Sequence, residues 1–160
     1  MINLKFIKIN DNLYRIINLE TFKLNNIYIP FKISKFYNNY YLNLEFDENT
    51  DFINYYENLE KYICNLENIN LDVKKDNLDF YSNIKVNTYK NKEYKQIRTQ
   101  LQKTKNKIIT NYKINNLENN IFNLVEKKKY NFEIIIYGLW IKNNKYGLII
   151  YIKNINLIDK

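Results

Sequence analysis

The residues of this chain that are best suited to chemistry are aromatic and basic. It has 16 tyrosines, nine phenylalanines and one tryptophan, together with 25 lysines and arginines. The two types are adjacent at Tyr89-Lys90, Tyr94-Lys95 and Tyr112-Lys113. Lysines can follow a phosphate backbone while aromatic faces stack on bases, at roughly 1–3 kcal/mol per base. Because neighbours on a strand point to opposite faces, one residue of each pair could instead belong to the core.

The positive charge is concentrated in the second half of the chain. Residues 1–80 carry 9 basic and 12 acidic side chains, residues 81–160 carry 16 and 5, and the net charge is +8. A field of one sign destabilises a compact fold by self-repulsion, which a polyanion relieves. Nucleic acid is the commonest polyanionic partner, with an anionic membrane surface second. A solubilising face enriched by lysine codons is the remaining interpretation.

Most enzyme classes are disfavoured by the residue types that are missing. The chain has no histidine, which is the usual general base, proton shuttle and metal ligand. With Cys64 as its single cysteine it can form neither an intramolecular disulfide nor a standard structural zinc site. Two glycines are too few for a P-loop or a dinucleotide fingerprint. We therefore expect a non-enzymatic protein without metal or cofactor, in which Cys64 is a small buried apolar residue.

Carboxylates keep one enzymatic alternative open. Glu45, Asp47, Glu48 and Asp51 cluster where a strand is expected to meet a helix. Such a group could hold Mg²⁺ for phosphoryl chemistry, as in a small metal-dependent nuclease. We favour a solvated turn in which the acids complement the positive end of the helix dipole.

The residue usage is that of an A/T-rich coding sequence. Alanine is absent, and there are only two glycines, one proline and two arginines. This bias suggests a viral, plasmid, parasite or endosymbiont source. Lysines suit sequence-independent contact with a phosphate backbone, whereas base readout in a duplex groove favours arginine. The sequence does not decide between DNA and RNA, since stacking and lysine contacts serve both.

The periodicity predicts a single domain over residues 1–160, built mostly from strands. Apolar residues at helical spacing from Phe52 to Leu66 predict a long helix over residues 51–67, with Asn49, Thr50 and Asp51 as candidate N-caps. A short helix is predicted at residues 116–126, and a loop at 68–82. Strands are predicted at residues 3–9, 13–19, 27–35, 40–46, 83–90, 94–101, 107–114, 130–142 and 145–157.

The last two strands form the most specific pattern in the sequence. Asn143-Asn144 predicts a two-residue hairpin turn, because asparagine tolerates positive φ. The turn fixes the register, so that Trp140 lies opposite Gly147, one of only two glycines. A glycine kept in such a chain indicates a close approach by a backbone or a ring. Trp140 could stack on bases or cover Gly147 across the strand pair, and we favour the second role.

This order of elements, with its closing Gly-x-Trp-x6-Gly-Leu hairpin, resembles the OB-fold single-stranded DNA-binding proteins of large DNA viruses and cytoplasmic linear plasmids. The resemblance is carried by Gly138, Trp140, Gly147 and Leu148, with Tyr40–Phe46 leading into the long helix. It implies a mostly β (α+β) fold, an OB-like barrel with one long and one short helix, that coats single strands during replication. Because the chain ends Asn154–Lys160 and not in an acidic tail, recruitment of partners through a tail is not expected.

We expect the strands at about residues 83–114 and the C-terminal hairpin to line a sequence-independent nucleic-acid site. Its candidate residues are Tyr89, Lys90, Lys92, Tyr94, Lys95, Arg98, Lys103, Lys105, Lys107, Tyr112, Lys113, Tyr137, Trp140, Tyr146 and Tyr151.

The expected partner is single-stranded DNA or RNA, with no membrane contact. Exposed sheet edges would also allow a homo-oligomer. The N-terminus lacks the apolar run of a signal peptide, which predicts a cytoplasmic protein. The alternative to nucleic-acid binding is a virus- or plasmid-encoded protein that binds other proteins or has a structural role.

Overall fold

The computed structural model describes residues 2–17, 19, 21–47, 50–69, 71 and 78–158. Within them the chain is mostly β, with one α-helix, α1 (Asp51–Cys64), and 3₁₀ turns at Leu66–Asn68 and Ile121–Asn123. The strands are β1 (Lys5–Asn10), β2 (Leu13–Ile17), β3 (Thr21–Ile29), β4 (Ser34–Phe36), β5 (Asn39–Phe46), β6 (Asp79–Phe80), β7 (Ile84–Tyr89), β8 (Lys92–Leu101), β9 (Lys103–Thr104), β10 (Lys107–Ile108), β11 (Asn111–Ile114), β12 (Leu117–Asn119), β13 (Lys128–Lys142) and β14 (Lys145–Leu157).

Five strands of the large mixed sheet pair in a path that returns to its start. β3 pairs with β5, β5 with β8, β8 with β14, β14 with β13, and β13 with β3. All of these pairs are antiparallel except β8 with β14, which is parallel. The β1–β2 hairpin extends this path through β13, and the β11–β12 hairpin extends it through β14.

Strand β5 has the alternation that the sequence predicts for residues 40–46. Leu42, Leu44 and Phe46 are buried, whereas Tyr41 and Glu45 are partly exposed on the opposite face. Alternate residues of a strand point to opposite faces, so one face of β5 contributes to the core and the other faces solvent.

Helix α1 packs its apolar stripe against the strands. The Phe52 ring lies 5.3 Å from Phe22 of β3 and 5.8 Å from Phe46 of β5, between ring centroids. The Tyr146 hydroxyl on β14 donates a hydrogen bond to the Ile63 carbonyl, at 2.8 Å. The Thr50 side chain caps the helix by accepting from the backbone N–H of Ile53, which confirms one of the predicted N-caps.

The C-terminal hairpin has the predicted register. Asn143 and Asn144 both have positive φ, at 52° and 61°. The observed partners include Lys142 with Lys145, Trp140 with Gly147, and Gly138 with Ile149.

Several local predictions are wrong. The strands predicted at residues 27–35 and 107–114 are each interrupted, at residues 30–33 and 109–110. Residues 116–126 do not form the predicted helix, apart from the 3₁₀ turn at Ile121–Asn123, because Asn115 and Asn116 adopt positive φ and turn the chain into β12, which pairs with β11. Cys64 is exposed and not buried, because it follows Ile63, and neighbouring helical residues point in directions about 100° apart. The predicted loop at 68–82 contains β6 and the buried residues Ile69 and Leu71, and residues 70 and 72–77 lie outside the described residues.

Among the described residues, no helix combines the length and apolar character needed to cross a bilayer.

Candidate nucleic-acid interface

A cleft of about 570 Å³ opens where β8 and β14 separate. These strands pair only at Tyr151 with Gln100 and Ile152 with Leu101. Buried residues such as Thr99 and Leu148 contribute to the lining of this cleft, which we call the Trp140 cleft. Its remaining lining residues are Asn12, Phe36, Tyr37, Asn39, Tyr41, Tyr81, Asn83, Arg98, Gln100, Trp140, Ile141, Lys142 and Ile150.

Cations lie over tyrosine rings around the Trp140 cleft. The Arg98 guanidinium carbon is 3.8 Å from the centroid of the Tyr41 ring. The ammonium of Lys142 lies 5.6 Å from the Tyr37 ring centroid. Such cation–ring contacts contribute about 0.5–1 kcal/mol at exposed sites. They keep positive charge beside flat aromatic faces, which is the combination that a single strand requires.

Tyr37 is held in a conformation that is unfavourable for its residue type. It lies in the turn between β4 and β5, has φ of 54°, and is 77% exposed. Left-handed backbone is uncommon for a bulky residue and destabilises the fold by about 1 kcal/mol or more. The ring of Phe36 packs edge-on against it at 4.6 Å, so the turn presents two exposed aromatic rings.

A row of three tyrosines ends at both arginines of the chain. Tyr137 and Tyr151 are on the adjacent strands β13 and β14, and Tyr41 is on β5, which β8 separates from β14. The Tyr137 and Tyr151 rings are 5.1 Å apart, and the Arg15 guanidinium lies 5.8 Å from the Tyr137 ring. Burial raises the pKa of Tyr151, and the neighbouring Tyr137 and Tyr41 phenols raise it further. Tyr41 is at the other end of the row, and its ring contacts the Arg98 guanidinium.

Trp140 covers Gly147, as the sequence analysis favoured. A Cβ at Gly147 would lie 2.9 Å from Trp140 Nε1 and 2.7 Å from the Tyr81 carbonyl oxygen. The indole also lines the cleft and lies 6.0 Å from the Tyr81 ring. Trp140 therefore packs on the hairpin with one part of its surface and contributes to the cleft with another.

The segment that enters the fork between β14 and β8 is anchored by a buried carboxylate. Glu60 on α1 is 7% exposed, and its oxygens accept from the Ser82 hydroxyl at 2.6 Å and the Asn83 backbone N–H at 2.9 Å. Burial raises the pKa of Glu60. The Asn83 amide in turn donates to the Leu148 carbonyl at 2.8 Å. Helix α1 thus holds Tyr81, two residues from Asn83, beside the cleft.

A second cleft, of about 480 Å³, lies on the opposite face of β5 and β8 from the core. We call it the Tyr94 cleft. Lys90 and Lys92 lie 5.4 and 5.5 Å from the rings of Tyr89 and Tyr94. Its lining comprises Asn26, Tyr28, Pro30, Phe31, Glu45, Asp47, Asn87, Tyr89, Tyr94, Gln96 and Lys129.

The sequence-predicted site residues divide between these surfaces. Arg98 and Trp140 line the Trp140 cleft, Tyr137 and Tyr151 belong to the tyrosine row, and Tyr89 and Tyr94 line the second cleft with Lys90 and Lys92 near their rings. Lys103, Lys105, Lys107 and Lys113 line neither cleft; three of them belong to the β9–β10 hairpin and its turn, and Lys113 lies on β11. The dense lysine segment therefore does not form one strip.

Two of the predicted stacking residues are in the core. Tyr112 is 3% exposed and Tyr146 is fully buried, so neither can stack on a base. Burial raises the pKa of Tyr146 to about 12. Two predicted cations are engaged within the protein, since Lys95 pairs with Glu57 and Lys103 donates to the Asn38 carbonyl.

The carboxylates that suggested a nuclease do not form a metal-binding group in the described part of the chain, although Glu45 and Asp47 both line the Tyr94 cleft. Glu45 accepts from the Gln96 side chain at 3.0 Å, and Asp47 lies 3.8 Å from the Lys92 ammonium. Glu48 lies outside the described residues. No group of three Asp, Glu or Cys side chains placed to hold a metal ion occurs among the residues that the structure describes.

Sequence reasoning missed Tyr37, Tyr41, Tyr81, Lys142 and Arg15. A signal for one of these positions, Arg15, was available. Both arginines of this lysine-rich chain contact tyrosine rings of one row, so a rare residue type marked the surface, as the rare glycines marked the hairpin.

Comparison with known proteins assigns no family. No protein-family model, curated protein or solved structure matches the chain. Its function is therefore inferred from the geometry and charge of the two clefts.

Proposed function

We propose that this protein binds single-stranded nucleic acid, with DNA as the main ligand, and coats it during replication. The observation that carries the proposal is the Trp140 cleft, where Arg98 and Lys142 lie over exposed or half-buried tyrosine rings. No carboxylate is among the described residues that line this cleft. A phosphate backbone can therefore approach without meeting a negative charge in the lining.

We further propose that the closed five-strand path is an OB-like barrel. In OB folds the second and third strands, with the loops joining strands 1–2 and 4–5, bind oligonucleotides. Counting from β3, the second and third strands of the path are β5 and β8, which carry Tyr41 and Arg98. The first connection carries Phe36 and Tyr37, and the fourth is the turn that follows Lys142. These are the residues that surround the Trp140 cleft.

The first test is fluorescence anisotropy with labelled oligo-dT, oligo-rU and a duplex at several salt concentrations. We expect tight binding to the single strands, weak binding to the duplex and an intact probe. Log affinity should fall with log salt at a slope of about −0.7 for each phosphate contacted. Affinity no higher than that of a generic basic protein would end the proposal, and the exposed tyrosines would then require a protein partner.

A matched pair of lysine variants tests the location of the site. Lys142→Ala removes a cation beside the Trp140 cleft and should reduce the salt slope by about 0.7. Lys95→Ala removes a cation that is already paired with Glu57 and should leave the slope unchanged. Equal effects of the two variants would place the binding surface elsewhere.

A further inference from the structure

The Trp140 cleft adjoins a shallower depression of about 340 Å³ on the solvent-facing side of β7 and β8. Tyr81, Asn83 and Arg98 line both, so the two form one continuous groove. Among the described residues, five aromatic rings line the cleft, whereas Tyr81 is the one ring in the depression. The other residues that line the depression are Asn43, Ser82, Ile84, Lys85 and Gln96.

Three hydrogen-bond donors on adjacent strands face this depression together. Arg98 on β8 lies opposite Asn43 on β5, and Lys85 on β7 lies opposite Gln96, two positions from Arg98. Paired residues share a face of the sheet, and so do residues two apart on one strand. Lys85 and Arg98 are therefore diagonal neighbours, which lie about 7–8 Å apart. At that spacing one phosphate group can contact both side chains.

These three donors have hydrogens to offer a ligand. Lys85 is exposed, and within the described part of the chain no carboxylate pairs with its ammonium. The face of the Arg98 guanidinium rests on the Tyr41 ring, which leaves the N–H groups in its plane directed outward. No hydrogen bond within the described residues engages the Asn43 amide. By contrast, the Ser82 and Asn83 side chains already donate within the protein.

Two carboxylates lie near the depression without lining it. Glu45 is on the other side of β8 from Lys85, accepts from the Gln96 amide and lines the Tyr94 cleft. Glu60 is buried behind Ser82 and Asn83, and both of its oxygens accept from them. The described lining thus carries two positive charges and no negative one. An anion is the ligand class that fits it.

We propose that this depression seats a backbone phosphate of the single strand whose bases occupy the Trp140 cleft, with Lys85 and Arg98 as the cations that hold it. The proposal rests on the single-strand function proposed above. Strand β7 lies outside the closed five-strand path, so Lys85 extends the binding surface beyond that path. Ser82 and Asn83, which directly precede β7, are fixed by Glu60, so Lys85 is positioned before a strand arrives.

The test uses fluorescence anisotropy with labelled oligo-dT of about twelve nucleotides, a length within the site size of one OB domain. Lys85→Gln should lower affinity several-fold and reduce the slope of log affinity against log salt by about 0.7. Lys107→Gln is the matched control, because it removes the same charge from an exposed lysine that lines neither the cleft nor the depression. It should keep the slope of the wild type. An unchanged slope in Lys85→Gln, or equal losses in the two variants, would overturn the inference.

A conservative variant separates the charge of Lys85 from its shape. Lys85→Arg keeps a cation that can donate to a phosphate, so its slope should match that of the wild type. If Lys85→Arg loses as much slope as Lys85→Gln, the positive charge is not what Lys85 contributes and the phosphate seat is wrong.

The two proposals fail in different ways. If the wild type does not bind oligo-dT, the single-strand function fails and the phosphate seat falls with it. If the wild type binds tightly and Lys85→Gln binds with the same affinity and slope, the function stands and only the phosphate seat is overturned.

Discussion

The guanidinium of Arg98 lies on the ring of Tyr41, with 3.8 Å between the guanidinium carbon and the ring centroid. The two residues stand on adjacent strands, β8 and β5, and both line the Trp140 cleft. A planar cation stacked on a ring offers an incoming base both a flat face and a positive charge. This pair is the centre of the binding surface that we propose.

Substitutions of Arg98 should separate the contribution of its charge to binding from the contribution of its flat stacking surface. Arg98→Lys keeps the charge but loses the flat cation, so single-strand affinity should fall several-fold at an unchanged salt slope. Arg98→Ala should lower affinity roughly tenfold and reduce the slope as well. Anisotropy over a salt series measures both quantities. A steeper or unchanged slope in Arg98→Ala would argue against a phosphate near this residue.

Tyr37 predicts opposite effects on stability and binding. Tyr37→Gly relieves the left-handed backbone and should raise the free energy of unfolding by about 1 kcal/mol, as judged from urea melts. The same change removes an exposed ring, so single-strand affinity should fall. Tyr37→Phe keeps the ring and the strain, and should match the wild type in both measurements. If Tyr37→Gly binds single strands as tightly as the wild type, the strained turn has no role in binding.

The two glycines should differ in their tolerance of alanine. A Cβ at Gly138 would lie 1.9 Å from the Tyr14 carbonyl oxygen, so strands β2 and β13 would have to separate. We expect Gly138→Ala to destabilise the fold by about 3 kcal/mol. The methyl group added in Gly147→Ala would contact the Tyr81 carbonyl and the Trp140 ring, both of which can shift. We expect this substitution to lower the free energy of unfolding by about 1–2 kcal/mol.

The single tryptophan makes the Gly147 prediction measurable by emission. Gly147→Ala should change the Trp140 fluorescence spectrum of the folded protein, since the added methyl displaces the indole. Gly138→Ala, studied in conditions where it remains folded, is the control and should leave the emission near that of the wild type. An unchanged spectrum in Gly147→Ala would show that the indole does not rest on this glycine.

Glu60 predicts a pH-dependent stability. Burial raises its folded pKa above the ordinary value of 4.5, and the nearby Glu57 carboxylate raises it slightly further, although bonds from Ser82 and Asn83 oppose the shift. Between 4.5 and the raised value the unfolded chain releases a proton that the folded protein keeps, so rising pH removes stability. Glu60→Gln escapes this loss.

The stability of Glu60→Gln relative to the wild type should therefore increase with pH through that window and become constant above it. Urea unfolding at a series of pH values measures the difference. Glu67→Gln, at an exposed acid just past α1, controls for the change in net charge. A difference that declines as pH rises would contradict the sign of the shift.

Local patterns in the sequence were enough to predict the hairpin and the helix. The Asn143-Asn144 turn fixed the register that brings Trp140 onto Gly147, because a two-residue turn leaves no freedom in pairing. The Phe52 to Ile63 stripe defined the buried face of α1. The same method failed at residues 116–126, where helical spacing and a hairpin turn of two asparagines competed and the strand pairing with β11 prevailed.

The site was less predictable because contacts between distant segments decide which residues are exposed. Tyr112 and Tyr89 are each followed by a lysine in the sequence. Tyr112 is nevertheless buried beside Tyr130, whereas Tyr89 is 64% exposed. Lys95 and Lys142 are both lysines on strands, yet only the first has Glu57 brought to it by α1. A short-range pattern contains no information on these pairings.

The sequence alone determined which side-chain types a binding site could use. It supplies many aromatic rings and lysines, but no histidine and too few glycines for a phosphate-binding loop. It also determined strands with clear alternation, such as β5 and the two strands of the C-terminal hairpin, because their alternation requires one face to be buried. Only the tertiary structure decided which rings and cations meet, since the fork between β8 and β14, the Glu60 anchor and the Arg98–Tyr41 stack each join residues far apart in the chain. Burial and hydrogen bonding act across space, and the pairing of β8 with β14 is what brings those residues together.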